Sequence, residues 1–397
     1  MSWQVKTLGE LVTIKGGGTP SKKIADYWGG TIPWASVKDL KSRVLLNTED
    51  SITELGVVKS ATNVIPKGTI IVPTRMALGK VAITGCDMAI NQDLKALIIV
   101  DNKQINQCYL ARFLESKSSF IESEGKGATV KGITLDFLKS LEIPLPPLDE
   151  QKRIAAILDK ADAIRQKRKQ AITLADEFLR SVFLEMFGDP VTNPKGWSRK
   201  EIKEGVSRIT SGWSAKGDSR PCGQGEVGVL KISAVTSGEF KPKENKFVEK
   251  HIIPEGKNLI FPKKGDLLFS RANTRELVAA TCIVPKDCDD VFLPDKLWNI
   301  ELSSEELMPE YFHMLLQDDK FKETLTSQAT GSSGSMLNIS KQKFETTLAP
   351  FAPIDLQMKF KNIYWQLKDN AAKMKNSEDY LIEQFNALSQ KAFSGQL

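Results

Sequence analysis

Ile143-Pro144-Leu145-Pro146-Pro147-Leu148-Asp149-Glu150-Gln151 is followed much later by Ala349-Pro350-Phe351-Ala352-Pro353-Ile354-Asp355-Leu356-Gln357. The offset is 206 at Pro144/Pro350, Pro147/Pro353, Asp149/Asp355 and Gln151/Gln357, and it holds from Ile133/Ile339 through Ile157/Ile363. Such a period is too long for a solenoid, whose units run roughly 20–50 residues. It indicates a duplicated domain followed by a duplicated helix. Two similar readers in one chain suit a ligand with two similar halves, and DNA is the commonest such ligand.

Downstream of each copy the pattern becomes helical, over about 150–187 and about 355–393. A helix of about 38 residues is roughly 57 Å long at about 1.5 Å per residue. The first seam, at spacings of three and four, reads Ile154, Ile157, Ala161, Ile164, Arg168, Ala171, Ala175, Phe178, Val182. The second reads Leu356, Phe360, Ile363, Leu367, Asn370, Met374, Ser377, Leu381, Gln384, Leu388. Both are heptad-like, and neither is apolar enough to stand alone in water. Antiparallel pairing of the two helices as a spacer is expected, with a pseudo-two-fold axis and a globular unit at each end. Arg168 and Asn370 interrupt the seams, either to fix register or as solvated positions. The helices end at Phe187-Gly188 and Phe393-Ser394-Gly395, apolar residues and then glycine, a common C-terminal arrangement.

Upstream, residues 1–145 alternate short apolar runs with turns. Val64 to Pro73 reads as a turn and a strand, Leu97 to Val100 as a buried strand, and Cys108 to Glu122 as a helix. Residues 196–350 repeat the plan, with Pro262 to Phe269 matching the turn and strand and Glu310 to Leu325 matching the helix. Trp3 to Gly18 and Trp197 to Gly212 share an offset of 194, so the second unit carries insertions relative to the first. Insertions fall in loops, where recognition usually lies. The expected domains are 1–149 and 189–354, two similar α/β units in an α+β chain, with spacer helices at 150–188 and 355–397.

A chain of 397 residues is long enough for two or three cored domains. Its net charge of +6 divides as +4 over 1–145, +1 over 146–188, 0 over 189–350 and +1 over 351–397. No domain has the strongly basic footprint of an independent nucleic-acid binder. A DNA ligand would therefore need basic residues focused on one face, or phosphate contacts from partner subunits. Five unpaired-looking cysteines and two histidines, His251 and His313, supply little for zinc or histidine catalysis. Reduced thiols, no membrane span and a cytoplasmic location are expected.

Gly223-Gln224-Gly225-Glu226-Val227-Gly228 fits G-x-G-x-x-G, but a strand-like run follows it where a dinucleotide fold needs a helix. It reads as a turn before a strand. Lys15-Gly16-Gly17-Gly18-Thr19-Pro20 is no P-loop, since no Gly-Lys-Ser/Thr opens a helix. It reads as a flexible edge loop or as a close backbone approach to DNA. An amino-methyltransferase Asn/Asp-Pro-Pro-Tyr motif is absent, and a nuclease set forced from Asp295, Asp319 and Lys320 has no equivalent in the first unit, where Gln92 matches Asp295. No catalytic residues and no metal ligands are expected.

The polar loops are more informative. Arg75 and Lys80 follow the first repeated strand; Arg271, Asn273 and Arg275 follow its partner. Arginine can bind guanine bidentately and asparagine adenine. A second pair of equivalent loops, 124–131 with Lys126 and Lys131 and 330–335 with Ser332 and Ser335, is small, polar and suited to approach a phosphate backbone. Lys15, Thr19, Lys38 and the aromatic-basic Trp213 and Lys216 complete the candidate DNA contacts, although Trp213 could equally cover a core.

The whole chain resembles the DNA-specificity subunit of type I restriction–modification systems. The resemblance is carried by Trp3 with Leu8-Gly9-Glu10, Ile32 to Leu40, Ile143 to Gln151 with its helix, Met186 to Pro190, and Lys391 to Gly395. It implies two target-recognition domains, each reading half of a bipartite, asymmetric double-stranded DNA site, held by paired spacer helices. It also implies two modification subunits that use S-adenosylmethionine to methylate adenine N6, and restriction subunits that use ATP and Mg. None of that chemistry would lie in this chain. A spacer of this length could set half-sites about one helical turn, roughly 34 Å, apart. The competing reading is a non-catalytic adaptor with two protein-binding modules on a coiled coil.

Overall fold

The structure, a computed structural model, describes residues 3–127, 129–327 and 336–397. The chain divides into two compact units. Unit 1 comprises Met1–Gln170 with Asn376–Leu397, and unit 2 comprises Ala171–Lys375. Both boundaries fall inside the long helices, Leu148–Phe187 and Ile354–Ser394, so each unit takes part of each helix.

In unit 1, a five-stranded sheet has the order Val12–Gly16, Leu94–Ile99, Ile70–Pro73, Ala82–Thr84, Val44–Leu45. A four-stranded sheet has the order Asp50–Ile52, Trp28–Ala35, Met88–Ile90, Val64–Ile65. The central strand is apolar without alternation because it is buried on both faces. Ile70 and Val72 pack with Tyr109, Leu110, Phe113 and Leu114 of the helix Gln107–Ser116. Ile71 packs with Met88, Ile90 and Ala96. Unit 2 repeats the arrangement. Leu267 and Phe269 of Leu267–Ser270 join the core with Tyr311 and Phe312, while Leu268 joins Cys282, Val291 and Leu293 on the other side. The helices expected at 108–122 and 310–325 are each broken. At Asp318 the backbone is extended and its carboxylate accepts the Phe321 N–H at 3.0 Å, so a second helix starts at Asp319.

The repeated motif is a structural lock. The strand Glu142–Leu145 pairs with Gln4–Thr7, and Leu348–Phe351 pairs with Ser198–Glu201, in the same register. Tyr109 and Tyr311 donate their hydroxyls to the carbonyls of Pro144 and Pro350, at 2.8 and 2.7 Å. Gln151 Oε1 accepts the Asn106 N–H at 2.8 Å, and its Nε2 donates to the carbonyls of Gln104 and Pro146 at 3.0 and 2.9 Å. Gln357 repeats all three bonds with Met308, Glu306 and Ala352, at 2.8, 2.9 and 2.7 Å. Both glutamines are buried. The offset of 206 is thus the spacing between two copies of one clasp joining strand, short helix and long helix.

Within unit 1, Arg153 of the first long helix reaches the Leu397 carbonyl and Arg165 lies 4.6 Å from the Phe385 ring. Numbers rise on one helix as they fall on the other, so the segments run antiparallel. Within unit 2, Asp176 meets Lys368 and Phe183 meets Phe360, again antiparallel. The seam differs from the expected one in detail. Ile154, Phe360, Ile363, Leu367 and Leu381 are buried or half-buried, as is Ile157. Ile164 is 50% exposed, Phe178 is 56% exposed, and Asn370 is exposed. Leu158, Leu179, Phe183 and Tyr364 are buried instead. An ideal helix drifts about 20° per heptad from a 3.5-residue repeat, and over 40 residues that rotates the inner face to the adjacent position. Asn370 therefore does not interrupt the seam, and half-buried Ala371 lies there instead. Gly188 and Gly395 end the helices at φ of 79° and 76°, where a side chain would be strained.

Candidate nucleic-acid interface

Strand register brings four segments to one end of each unit. In unit 1, Pro73 pairs with Leu94 and Lys95 with Gly16, so the segments after 73, before 94 and after 16 converge there. The fourth is tied on by bridges from Gly132 to Arg75 and Lys126, and by Met76 N–H donating to the Lys131 carbonyl at 3.1 Å. In unit 2, Ser270 pairs with Leu297, Ser211 with Trp298, Ala272 with Asn338 and Asn273 with Leu337.

The glycines at this end are explained internally. A Cβ on Gly17 would lie 1.9 Å from the Ile90 carbonyl oxygen, and one on Gly212 would lie 1.7 Å from that of Leu293. The adjoining Gly18 and Trp213 N–H groups donate to those same carbonyls, at 3.0 and 2.9 Å. The glycine-rich segment is therefore packed against its own sheet; it is neither a free loop nor a backbone held out for phosphate. Just beyond it, Thr19 Oγ1 donates to Gln92 Oε1, and in unit 2 Ser214 Oγ donates to Asp295 Oδ1. Equivalent frameworks thus carry an amide in one unit and a carboxylate in the other.

Register also corrects one equivalence. A sequence offset of 196 would match Arg75 with Arg271, but Pro73 aligns with Ser270, so Thr74 matches Arg271 and Arg75 matches Ala272. The backbone agrees: Thr74 N–H donates to the Asp93 carbonyl and Arg271 N–H to that of Lys296, at 2.8 and 3.1 Å. Arg271 is held by Asp295, with Nε to the carbonyl at 2.9 Å and Nη2 to Oδ2 at 3.5 Å. Arg75 is exposed. Sequence reading gave Gln92 and Asp295 no DNA role and left out Gly132 and Asn338. The strands Leu94–Ile99 and Leu297–Leu302 correspond at an offset of 203, which keeps the Gln92/Asp295 match read from the sequence.

The other candidates fall into four groups. Thr19, Lys126, Lys131, Asn273 and Arg275 lie on the converging segments, although Asn273 Oδ1 already accepts the Thr274 N–H at 2.8 Å. Lys80 also follows the central strand, with Nζ 3.1 Å from the Leu40 carbonyl. Lys15 and Lys216 are exposed, on the strand Val12–Gly16 and after Trp213. Two candidates are otherwise engaged. Lys38 is paired with Asp50 and Glu49 at 2.9 and 3.1 Å, and these carboxylates push its ammonium above the ordinary lysine range. A cation neutralised by two neighbours is a poor phosphate ligand. Trp213 stacks on Phe292 at 6.1 Å in a small core, so it covers that core. Ser332 and Ser335 lie outside the described residues. Gly223–Gly228 leads through a turn into the strand Val227–Leu230, with no helix opened.

Residues 1–174 match the family model for the type I restriction modification DNA specificity domain. The type I restriction enzyme MjaIX specificity subunit of Methanocaldococcus jannaschii is 31% identical over 236 residues, covering 54% of this chain and 53% of the relative. Residues 1–174 are thus similar to a type I DNA specificity domain. The EcoR124I/EcoR124II specificity subunit of Escherichia coli is 39% identical over 166 residues, 40% of this chain and 41% of the relative. These two alignments span about half or less of each relative's length. The fold of this chain is similar to that of the type I restriction-modification system S subunit from M. genitalium, with a TM-score of 0.59 at 18% identity over 99% of this chain and 96% of that one. No described helix is long and apolar enough to cross a membrane.

Proposed function

We propose that this chain is the sequence-specific, non-catalytic DNA-binding subunit of a type I restriction–modification complex. Each unit reads one half of a bipartite, asymmetric site in double-stranded DNA. Two modification subunits supply S-adenosylmethionine-dependent adenine-N6 methylation, and restriction subunits supply ATP- and Mg-dependent cleavage. The observation that carries this reading is one framework used twice with its end-group chemistry exchanged: exposed Thr19 and Gln92 and buried Thr74 in unit 1 against Ser214, Asp295 and Arg271 in unit 2. A duplicated scaffold with divergent end-groups suits two different half-sites.

Mapping methylated adenines in host DNA, with and without this gene, tests the proposal. A two-part motif that disappears with the gene is the expected result, and an unchanged methylation pattern would remove the reading. Within that frame, Arg271 suits guanine. Its guanidinium is oriented by Asp295, and it is only partly exposed, so its fork meets a base edge without much ordering cost. Arg271→Ala is expected to cost about 1–3 kcal/mol of discrimination at one base of one half-site, leaving the other half-site unaffected. Binding selections on randomised duplexes read this directly, and an unaltered preference at every position would take Arg271 out of the readout.

A further inference from the structure

One row at the convergent end of unit 1 carries two cations. Arg75 and Lys126 are the two bridge partners of Gly132, so all three residues lie in one row across adjacent strand-like segments. Residues directly paired across such a ladder share a face. Arg75 Cγ lies 3.5 Å from where a Cβ on Gly132 would sit, which places the arginine stem over the glycine. Strands lie about 4.8 Å apart, so the two cationic residues are centred about 10 Å from each other with no side chain between them. Both are exposed or half-exposed at the convergent end, and among the described residues neither has an ion pair or side-chain hydrogen bond. In unit 2 the same row begins Ala272, Asn338, and the sequence of residues 328–335 holds no lysine or arginine.

We propose that the Arg75–Gly132–Lys126 row is a phosphate-backbone cradle of unit 1 without a counterpart among the described residues of unit 2, so that the two units divide DNA contact unequally. Unit 1 supplies sequence-independent anchoring, and unit 2 relies on an arginine fixed by a carboxylate. This inference rests on the DNA-reading function proposed above. The chemistry separates the two arginines. Arg271 is held in one plane by Asp295, as base-edge recognition requires. Arg75 has no such partner and is set beside a flexible lysine, as diffuse charge neutralisation requires.

The test is a salt titration of duplex binding by the full chain together with the subunits that copurify with it. The probes are a short duplex containing the mapped methylation motif and a scrambled duplex of equal length. Each lost phosphate contact lowers the slope of log Kobs against log[KCl] by about 0.9. Arg75→Ala and Lys126→Ala should each lower it by about that amount, and the double variant by about twice as much, equally on both duplexes. Arg75→Lys should keep the slope. An unchanged slope in the double variant, or a loss confined to the motif duplex with an altered base preference, overturns the cradle while leaving the DNA reader intact. If the unsubstituted protein binds neither duplex in a salt-dependent way, the functional reading falls with it.

Discussion

Gln357→Leu is expected to lower the stability of unit 2 by about 3–5 kcal/mol. Leucine has nearly the right volume, so the loss is not a packing loss. It comes from three backbone groups that Gln357 satisfies: the Met308 N–H and the carbonyls of Glu306 and Ala352. Gln357 is fully buried, so water does not replace it there. An unsatisfied buried polar group costs about 1–3 kcal/mol. Gln151→Leu should do the same to unit 1 through Asn106, Gln104 and Pro146. A two-unit chain need not unfold in one step, so the readout is hydrogen exchange followed unit by unit. Protection lost throughout the substituted unit and kept in the other is the expected pattern. A change below about 1 kcal/mol would mean that the clasp is not what holds the long helix to its domain.

Arg112→Met is expected to destabilise unit 1 by about 3–5 kcal/mol at neutral pH, with a defined pH dependence. Arg112 is 5% exposed and binds Asp159 at 2.7 Å, Glu115 at 2.9 Å and Asp162 at 3.2 Å. Arg43 is also bound to Asp159 and Glu115. Burial pushes the Glu115 carboxyl up despite Arg112 and Arg43. Burial acts on Asp162 in the same direction, but Arg112 and Arg165 overcome it and hold that carboxyl below its usual range. A depressed carboxylate stabilises the fold above its unfolded-state pKa, and that contribution is lost as pH falls through the folded value. Methionine leaves the carboxylates charged and under-compensated at neutral pH. Protonation relieves them, so the stability gap between variant and parent should narrow as pH falls toward about 4. A gap that stays constant or widens on acidification would rule out the electrostatic explanation. At the positions of Arg112, Asp159 and Asp162, unit 2 has Met314, Trp365 and Lys368, so the same scaffold is built there without a buried arginine among three carboxylates.

Much of this was legible in the chain. Gln151 and Gln357, Pro144 and Pro350, and Tyr109 and Tyr311 stand at near-constant spacing because one set of short-range contacts was built twice. Long helices, the broad domain plan and the runs at Ile70–Val72 and Leu267–Phe269 follow from local periodicity and burial, which act over a few residues. The candidate site was less legible. Its segments converge only through strand register, and a one-residue error reverses which side chain faces outward. That is why a sequence offset of 196 matches Arg75 with Arg271 whereas strand register makes it equivalent to Ala272, and why the place of Gln92 and Asp295 at the site is not written in consecutive residues.

The sequence alone determined that the protein is double, where each long helix begins and ends, and which residues recur. Tertiary structure decided which recurrences are clasp and which are surface, which helix positions face inward, and which cations remain unneutralised. The division has a physical cause. Propensity, capping and apolar spacing are local and are written in consecutive residues. Register, ion pairing and the packing of Gly17 or Gly212 beneath a distant carbonyl depend on strands that lie far apart in the chain and meet only in the folded protein.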